Sequence, residues 1–340
     1  MKIEENVSLR DLTTMNTGGK AKYFCRVCTI PELKEALDFV HKHSLPYFII
    51  GGGSNLVFSD KGFSGLVIKM EIKSVVFKDK GGHVFVTAGA GVVWDDLVEE
   101  TVERGLYGLE NLSLIPGTVG AASVQNIGAY GTEVEEVIEQ VEVLDIVTQK
   151  IKIFSHNECL FEYRKSFFKK EGKGKYIVVR VVFKLLKKSD VRLSYGSLKK
   201  VFDEKGISSP TPREIREAII VVRKEKLPYD GDIGSAGSYF KNPIVSQDHY
   251  TKLLSMYPEM PGFSVSKSEV KIPAGWLIDN VCGLRGSRDG NVGTYEHQAL
   301  VLVNYGNATT EEIKKFAEKI VACVKEKTNI SLEREVEYVE

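Results

Sequence analysis

The spacing of apolar residues predicts four helices along the chain. In Pro31–Val40 apolar side chains recur at 33, 36, 37 and 40, and the proline stands in the first turn. This period is typical of a helix that buries one face. Similar reasoning predicts helices from Trp94 to Arg104, from the capping box at Thr211 to Lys226, and after the capping box at Thr309.

Short runs rich in Val, Ile and aromatic residues predict strands between these helices. They are Tyr47–Ile50, Leu56–Phe58, Leu66–Met70, Val141–Ile146, Tyr176–Leu185 and a final strand, Ile330–Val339. In the final strand the alternation places Glu333, Glu335 and Glu337 together on one face, where charged residues are normally solvated. A change of composition after Pro228 indicates a domain boundary.

The glycine loop, Gly51-Gly-Gly-Ser-Asn55, directly follows the predicted strand Tyr47–Ile50. A dinucleotide-binding fold of the Rossmann type needs a helix immediately after its glycines, and a P-loop needs Gly-Lys-Ser/Thr. The sequence has neither. Two interpretations stay open: a nest of backbone N–H groups that holds a pyrophosphate, or a plain turn.

The uncharged segment, Leu114–Gly131, is dense in Gly and Ala and contains the cluster Ser123-Val-Gln-Asn126. A flexible linker would be more polar and poorer in Val and Ile. Small residues of this kind favour backbone that packs flat against a large planar ligand. A tight structural turn region is the alternative.

The length and charge of the chain limit the classes of protein to which it can belong. The chain has 340 residues, which suggests about two domains. Its 46 basic residues balance 46 acidic ones, so we expect no general affinity for nucleic acid or anionic lipid. The acidic start and the lack of a membrane-length apolar run lead us to expect a soluble cytoplasmic protein, without membrane association.

The five cysteines are too few and too scattered for a disulfide framework. Cys25 and Cys28 have the spacing of half a zinc site, but no second pair follows. We therefore expect no metal, and we interpret these cysteines as small buried or half-buried residues.

Eight motifs resemble, in order and over essentially the whole chain, those of the UDP-N-acetylenolpyruvoylglucosamine reductase family. Any one of these motifs is weak, but eight in the same order are specific. They are Asn16–Gly19, Gly51–Asn55, Ile115–Gly131, Tyr163–Ser166, Gly237–Pro243, Ala274–Asp279, Gln298–Asn304 and Glu333–Val336.

The resemblance implies an α+β, FAD-binding fold of the para-cresol methylhydroxylase type. Two subdomains, 1–70 with a return at 328–340 and then 71–225, would hold FAD, and 226–327 would be a separate α+β substrate-binding domain. The residues expected to hold FAD are Gly51, Gly52, Gly53, Ser54, Asn55, Gly117, Ser123, Asn126, Gly128 and Ala129. Some relatives in the wider superfamily bond FAD covalently through histidine, but none lies between His43 and His83 here, so we expect non-covalent FAD.

The resemblance also implies the reaction. NADPH would reduce FAD, and the reduced cofactor would pass hydride to UDP-N-acetylglucosamine enolpyruvate, giving UDP-N-acetylmuramate for peptidoglycan synthesis. Arg164 would stabilise the negative charge that develops on the substrate, since guanidinium is always protonated. Ser238 would donate the proton. Glu335 would act beside the developing charge, a role that its alternating pattern does not suggest.

The chain resembles the longer subtype of the family, in which Leu193–Leu198 would cover the substrate. Tyr195 would contact the nucleotide sugar, and the expected ligands of the diphosphate and its neighbours are Arg223, Lys226, Asn242 and Gln298. Phe263 replaces a tyrosine found in several relatives, so one hydroxyl contact is lost or replaced. We expect a monomer.

Two rival functions remain open from the residues. The first is another flavin enzyme of the same fold that oxidises a hydroxy acid or a sugar without NADPH. The second is a non-catalytic protein that binds flavin or nucleotide sugar. The combined presence of Arg164, Ser238 and Glu335 argues against both.

Overall fold

The structure, a computed structural model, describes residues 1–188, 196–204, 206–229 and 233–340. Its helices are α1 (Ile30–His43), α2 (Trp94–Glu103), α3 (Val119–Gln125), α4 (Gly196–Glu204), α5 (Pro212–Lys226), α6 (Gln247–Met256), α7 (Ala274–Trp276) and α8 (Thr310–Thr328). A π-helical turn, Leu277–Val281, continues α7. Short 3₁₀ turns lie at Arg10–Leu12, Glu110–Leu112, Val134–Val137, His156–Cys159 and Phe167–Lys169.

The strands are mostly short. They are β1 (Glu4–Ser8), β2 (Lys20–Val27), β3 (Tyr47–Ile50), β4 (Leu56–Phe58), β5 (Phe63–Met70), β6 (Val75–Lys80), β7 (His83–Gly89), β8 (Gly128–Ala129), β9 (Thr132–Glu133), β10 (Ile138–Asp145), β11 (Ile151–Ser155), β12 (Tyr176–Leu186), β13 (Gly234–Ser238), β14 (Ile244–Ser246), β15 (Phe263–Ser264), β16 (Glu269–Lys271), β17 (Arg288–Asp289), β18 (Val292–Tyr295), β19 (Gln298–Asn304) and β20 (Glu337–Val339).

The chain forms two compact units. The first contains Met1–Val7, Ala21–Gly52 and Ser64–Arg223, and the second contains Ser8–Lys20, Gly53–Phe63 and Lys224–Glu340. Two early segments of the chain therefore belong with its C-terminal part. The three domains expected from the resemblance divide the chain more finely and stay a prediction.

The first unit is built on two sheets, with strand orders β1-β2-β5-β3 and β11-β10-β12-β7-β6. β12 is central in the larger sheet and buries most of its side chains, which explains its nearly continuous apolar sequence. The apolar face of α1 packs into the same core as the buried residues of β5. β3 pairs in parallel with β5, so Ile50 lies opposite Lys69 where the glycine loop begins.

The second unit contains sheets with strand orders β13-β19-β18-β17 and β14-β16-β15. The apolar face of α8 packs with these strands in one core. The last strand, β20, pairs in parallel with β4, so that Tyr338 lies opposite Val57. The C-terminal residues are thereby held beside the strand that follows the glycine loop.

The four predicted helices are confirmed, but the final strand is much shorter than predicted. Its backbone partner changes along the segment: Glu335 donates its N–H to Tyr239, whereas Glu337 donates to Asn55. Because no single neighbour runs beside the whole segment, only Glu337–Val339 forms a regular strand. α3, inside the uncharged segment, was not predicted at all.

A disulfide joins Cys282 to Cys323, with Cα atoms 6.1 Å apart, a single bond that the spacing of the cysteines did not predict. Cys25 is buried as expected, whereas Cys28 is exposed. Within the described ranges, no helix is both long enough and apolar enough to cross a membrane. The described residues also contain no cluster of three or more metal-ligating side chains.

Candidate active site

The first half of the glycine loop lies against the uncharged segment in the first unit. A Cβ atom on Gly52 would be 2.7 Å from Gly117 Cα, and one on Gly51 would be 2.4 Å from Thr118 Oγ1. Gly52 does not have a left-handed φ, so its lack of a side chain serves close approach rather than an unusual backbone conformation. The backbones of the two predicted FAD-binding stretches are in contact here.

The second half of the loop belongs to the second unit. Gly53 has a left-handed φ of +69°, and a Cβ there would be 2.0 Å from the Leu12 carbonyl oxygen. Asn55 Nδ2 donates to the Glu335 carbonyl at 3.0 Å, and the Asn55 carbonyl accepts the Glu337 N–H at 3.0 Å. Asn55 therefore connects the end of the loop to the segment that carries Glu335. Ser54, between them, is half-buried.

The polar side chains of the uncharged segment support its own shape. Ser123 is fully buried, and its hydroxyl donates to the Gly120 carbonyl at 2.9 Å. Asn126 is also fully buried, and its amide donates to the Glu133 carboxylate at 2.8 Å and to the Glu162 carbonyl at 3.0 Å. The small residues Gly117, Gly128 and Ala129 are half-exposed and leave their backbone accessible.

Arg164 lies against this segment. Its φ is +57°, a conformation that non-glycine residues rarely adopt and that the surrounding structure must hold. The guanidinium donates to the Asn126 carbonyl at 3.3 Å and to the Gly128 carbonyl at 2.5 Å, and it lies 3.8 Å from the Glu133 carboxylate. Only 15 % of the side chain is exposed, so its position is tightly defined.

Two lysines that the sequence patterns did not single out contact the same stretches. Lys69, on β5, donates from Nζ to the Gly51 carbonyl, and burial lowers the pKa of this lysine. Lys169 donates to Gln125 Oε1 at 3.1 Å. In the sequence, Lys69 is one polar residue in an apolar strand, and only its pairing opposite Ile50 reveals what it contacts.

These features fit FAD. Uncharged, half-exposed backbone suits a flat ring system with a polar edge. Lys69 brings positive charge to the glycine loop, which suits the diphosphate of the cofactor, whereas Arg164 and Lys169 contact the uncharged segment. No charged side chain of the segment itself opposes an anion, because residues 114–131 contain none.

In the second unit the fold places Glu335 beside Tyr239, the residue that follows Ser238. Ser238 is the last residue of β13 and is exposed, while the next side chain, Tyr239, is buried. The Glu335 N–H donates to the Tyr239 carbonyl at 2.9 Å, and the Lys241 N–H donates to the Glu333 carbonyl at 2.8 Å. Two segments distant in sequence thus run side by side, with half-buried Glu335 next to the end of β13.

Asn242 and Gln298 both contact residues at the beginning of α7. Asn242 Oδ1 accepts the Ala274 N–H at 2.9 Å. Gln298 Oε1 would be 2.7 Å from a Cβ atom on Gly275, so the Gln298 amide lies directly against the backbone of α7. The two predicted substrate ligands are therefore neighbours of one short helix.

The remaining predicted substrate ligands are only partly placed. Arg223 and Lys226 lie in the last turn of α5, where Arg223 is half-buried and Lys226 is exposed. Tyr195 lies outside the described residues. The described part of the proposed covering loop, residues 196–198, begins α4, and Leu198 is buried there.

Comparison with known proteins identifies the family. The family model for the C-terminal domain of UDP-N-acetylenolpyruvoylglucosamine reductase matches residues 228–339, and that of an FAD binding domain matches residues 21–153. A UDP-N-acetylenolpyruvoylglucosamine reductase of Amoebophilus asiaticus is 42% identical over 100% of both chains. The chain belongs to this family. It is an FAD-dependent oxidoreductase of the UDP-N-acetylenolpyruvoylglucosamine reductase type.

Solved structures confirm the fold of this reductase family. The UDP-N-acetylenolpyruvylglucosamine reductase of Thermus caldophilus superimposes with a TM-score of 0.70 at 28% identity, over 100% of both chains. The 6-hydroxy-D-nicotine oxidase of Arthrobacter nicotinovorans gives a TM-score of 0.55 at 14% identity, over 97% of this chain and 86% of that one. The latter likeness concerns the fold alone. The expected α+β, FAD-binding fold of the para-cresol methylhydroxylase type is confirmed.

Proposed function

We propose that this chain uses NADPH to reduce UDP-N-acetylglucosamine enolpyruvate to UDP-N-acetylmuramate, a step of peptidoglycan precursor synthesis. The observation that carries the proposal is the Glu335–Tyr239 backbone bond, which places Glu335 beside the residue that follows Ser238, in a chain of the reductase family. FAD, when bound, supplies a hydride carrier between the nicotinamide and the enolpyruvyl group. The residues of the chain bind, orient and protonate.

Ser238 is the proposed proton donor. Its side chain is exposed at the end of β13, while its backbone is fixed by pairing with Val301 of β19. A serine hydroxyl is a weak acid, so it can act here only because the substrate carbon beside the carboxylate becomes a strong base. A fixed position then makes proton transfer fast enough to matter.

Arg164 and Glu335 are the proposed residues that stabilise charge. Arg164 carries a permanent positive charge, and its contacts with Asn126 and Gly128 fix its orientation before any substrate arrives. Glu335 is held by its own N–H and by the Asn55 amide on its carbonyl. Its carboxyl group would hydrogen-bond to the substrate where negative charge develops.

The remaining roles concern binding. The glycine loop would hold the FAD diphosphate beside Lys69, and the uncharged segment would lie along the flavin ring. Arg223, Lys226, Asn242, Gln298 and, outside the described residues, Tyr195 would hold the nucleotide sugar. Phe263 is 53% exposed and offers an apolar surface where several relatives have a tyrosine hydroxyl.

An anaerobic titration tests the proposed function. NADPH added to the purified protein should bleach the visible flavin absorbance, and UDP-N-acetylglucosamine enolpyruvate should then restore it. UDP-N-acetylglucosamine, which lacks the enolpyruvyl group, is the control and should not restore it. A flavin that NADPH leaves oxidised, or one that only oxygen reoxidises, would refute the proposal in favour of a binding protein or an oxidase respectively.

A further inference from the structure

Within the first unit, a buried ion pair connects α5 to the beginning of the uncharged segment. Arg216 of α5 is only 8% exposed, and its guanidinium donates to both carboxylate oxygens of Asp95, at 2.6 and 3.0 Å. The same Asp95 carboxylate accepts the Leu114 N–H at 2.5 Å. The carboxylate thus joins a helix to the first residue of the segment.

Asp95 is well placed for this role because α2 is already attached to the same segment. The Trp94 N–H donates to the Gly117 carbonyl at 3.1 Å, and the Trp94 indole donates to the Leu112 carbonyl at 2.9 Å. Leu114 has a φ of +59°, which a non-glycine residue adopts only where its surroundings require it. The bond from Leu114 to Asp95 helps to hold this conformation.

α5 also contacts the other end of the uncharged segment. Its buried residues Ile215, Ala218 and Ile219 form a small apolar cluster with α4, and Tyr130 packs against that cluster. Tyr130 is the last residue but one of the segment and also has a left-handed φ, of +50°. One helix therefore restrains both ends of the stretch that would line the flavin.

The same helix carries Arg223, seven residues beyond Arg216 and therefore on the same side. We propose that Asp95 and Arg216 form a positioning pair that fixes the uncharged segment relative to α5, so that the pair sets FAD affinity and transmits nucleotide-sugar binding at Arg223 to the flavin. The transmission of nucleotide-sugar binding to the flavin rests on the proposed function, because it takes Arg223 as a substrate ligand.

The chemistry of the pair favours positioning over plain stabilisation. A buried ion pair often stabilises a fold no better than apolar residues of the same size would. A bidentate guanidinium–carboxylate contact, however, fixes direction as well as distance. The pair should therefore affect the geometry of the segment more than the stability of the unit.

The test compares Arg216→Met and Asp95→Asn with Arg104→Gln, which breaks an exposed pair with Glu100 on the same helix α2. FAD affinity is measured by adding FAD to the apo-protein and following the quenching of flavin fluorescence. The response to nucleotide sugar is measured as the change that UDP-N-acetylglucosamine causes in the visible spectrum of bound FAD. We expect both pair variants to bind FAD about tenfold more weakly, with a reduced spectral response, and Arg104→Gln to match the parent.

Several outcomes would overturn the inference. If Arg216→Met melts at a lower temperature but keeps the FAD affinity and spectral response of the parent, the pair is only structural. If the single variants do not fold, Asp95→Leu/Arg216→Met leaves no buried unpaired charge, because Glu99, which also contacts Arg216 at 3.4 Å, is exposed. Parent-like FAD binding by that folded double variant would equally refute positioning. If the parent itself shows no response to UDP-N-acetylglucosamine, the proposed transmission through Arg223 is refuted, and FAD affinity alone decides whether the pair positions the segment. The anaerobic titration with the enolpyruvyl substrate tests the proposed function separately.

Discussion

Backbone hydrogen bonds between the C-terminal segment and the residues that follow β13 place Glu335 beside Tyr239, the residue after Ser238. Ser238→Ala removes one exposed oxygen and leaves those bonds in place. We expect near-normal reduction of the flavin by NADPH, followed by reoxidation by the enolpyruvyl substrate that is slower by on the order of 10²–10⁴-fold, because the positioned acid is lost. Stopped-flow absorbance separates the two steps.

Ser238→Cys is the matched variant, since a thiol can also give up a proton, and it should recover part of the lost rate. Parent-like reoxidation in Ser238→Ala would show that the proton comes from another group. A loss confined to flavin reduction would also contradict the assignment, because that step delivers no proton to a substrate carbon.

Replacement of Lys69 by an uncharged residue should weaken FAD binding without lowering the stability of the apo-protein. Burial lowers the pKa of Lys69, so at pH values below that pKa the folded apo-protein bears the full cost of the buried charge. Lys69→Met should therefore leave the apo-protein at least as stable as the parent at neutral pH. It should nevertheless weaken FAD binding on the order of tenfold, because a cation next to Gly51 is lost.

The pH dependence follows from the same shift. As pH rises through the lowered pKa, below the usual lysine value of about 10.4, the parent should lose FAD affinity. Lys69→Met should show no such step, and Lys69→Arg should bind FAD as tightly at alkaline as at neutral pH. FAD fluorescence titrations over this range measure all three proteins, and a step of equal size in Lys69→Met would exclude Lys69 as its source.

At the scale of elements, the glycine loop and the uncharged segment act together. A valine at position 52 would place its Cβ 2.7 Å from Gly117 Cα, so one of the two backbones must move. Overpacking of this kind costs about 1–3 kcal/mol, and Gly52→Val should lower FAD affinity about tenfold or more. Gly82→Val is the control, because Gly82 has open space around it and no left-handed φ. Full FAD content in Gly52→Val would mean that the loop is only a turn.

The sequence pattern correctly predicted those helices and strands that contact a single core along their whole length. α1, β3 and α8 agree closely with the pattern because one face of each meets one core. α3 was missed because its Gly- and Ala-rich sequence has little apolar periodicity, and its helix is held by contacts such as Val119 N–H to the Val92 carbonyl. The role of Lys69 could not be predicted either, since it depends on strand register.

For the molecule as a whole, periodicity placed Glu335 on a solvated face, and only the family motifs suggested a function for it. The structure explains the failure: a half-buried glutamate beside β13 depends on contacts between distant segments, which no local pattern contains. Arg164 is similar, because its left-handed backbone and its bonds to Asn126 and Gly128 join parts of the chain far apart in sequence.

The attachment of FAD gives a simple prediction for the whole protein. His43 ends α1 and His83 begins β7, and no histidine lies between them. No histidine of the glycine loop can therefore bond the flavin. Acid precipitation of the purified yellow protein should release all FAD into the supernatant, as measured by its absorbance. Flavin colour in the washed pellet would contradict non-covalent binding.

The disulfide of the second unit was the least expected feature, and it predicts a redox-dependent stability. Cys282 follows the π-helical turn and Cys323 lies on α8, so the bond closes a loop with a sequence separation of 41 residues. Restricting a loop of this size in the unfolded chain is worth about 2–4 kcal/mol. In a reducing compartment such as the cytoplasm the bond would be absent and this contribution lost.

Reduction with dithiothreitol should therefore lower the melting temperature of the parent by roughly 3–6 °C. Cys323→Ser should melt like the reduced parent and show no further response to dithiothreitol. Cys28→Ser, which removes an exposed thiol of the first unit, should keep the full response. The rates of both half-reactions should be the same in oxidised and reduced parent below the transition, because neither cysteine is among the proposed site residues. Equal melting of the oxidised and reduced parent would show that the bond does not stabilise the folded state. A rate that changes with reduction would mean that the π-helical turn affects the substrate ligands Asn242 and Gln298 through α7.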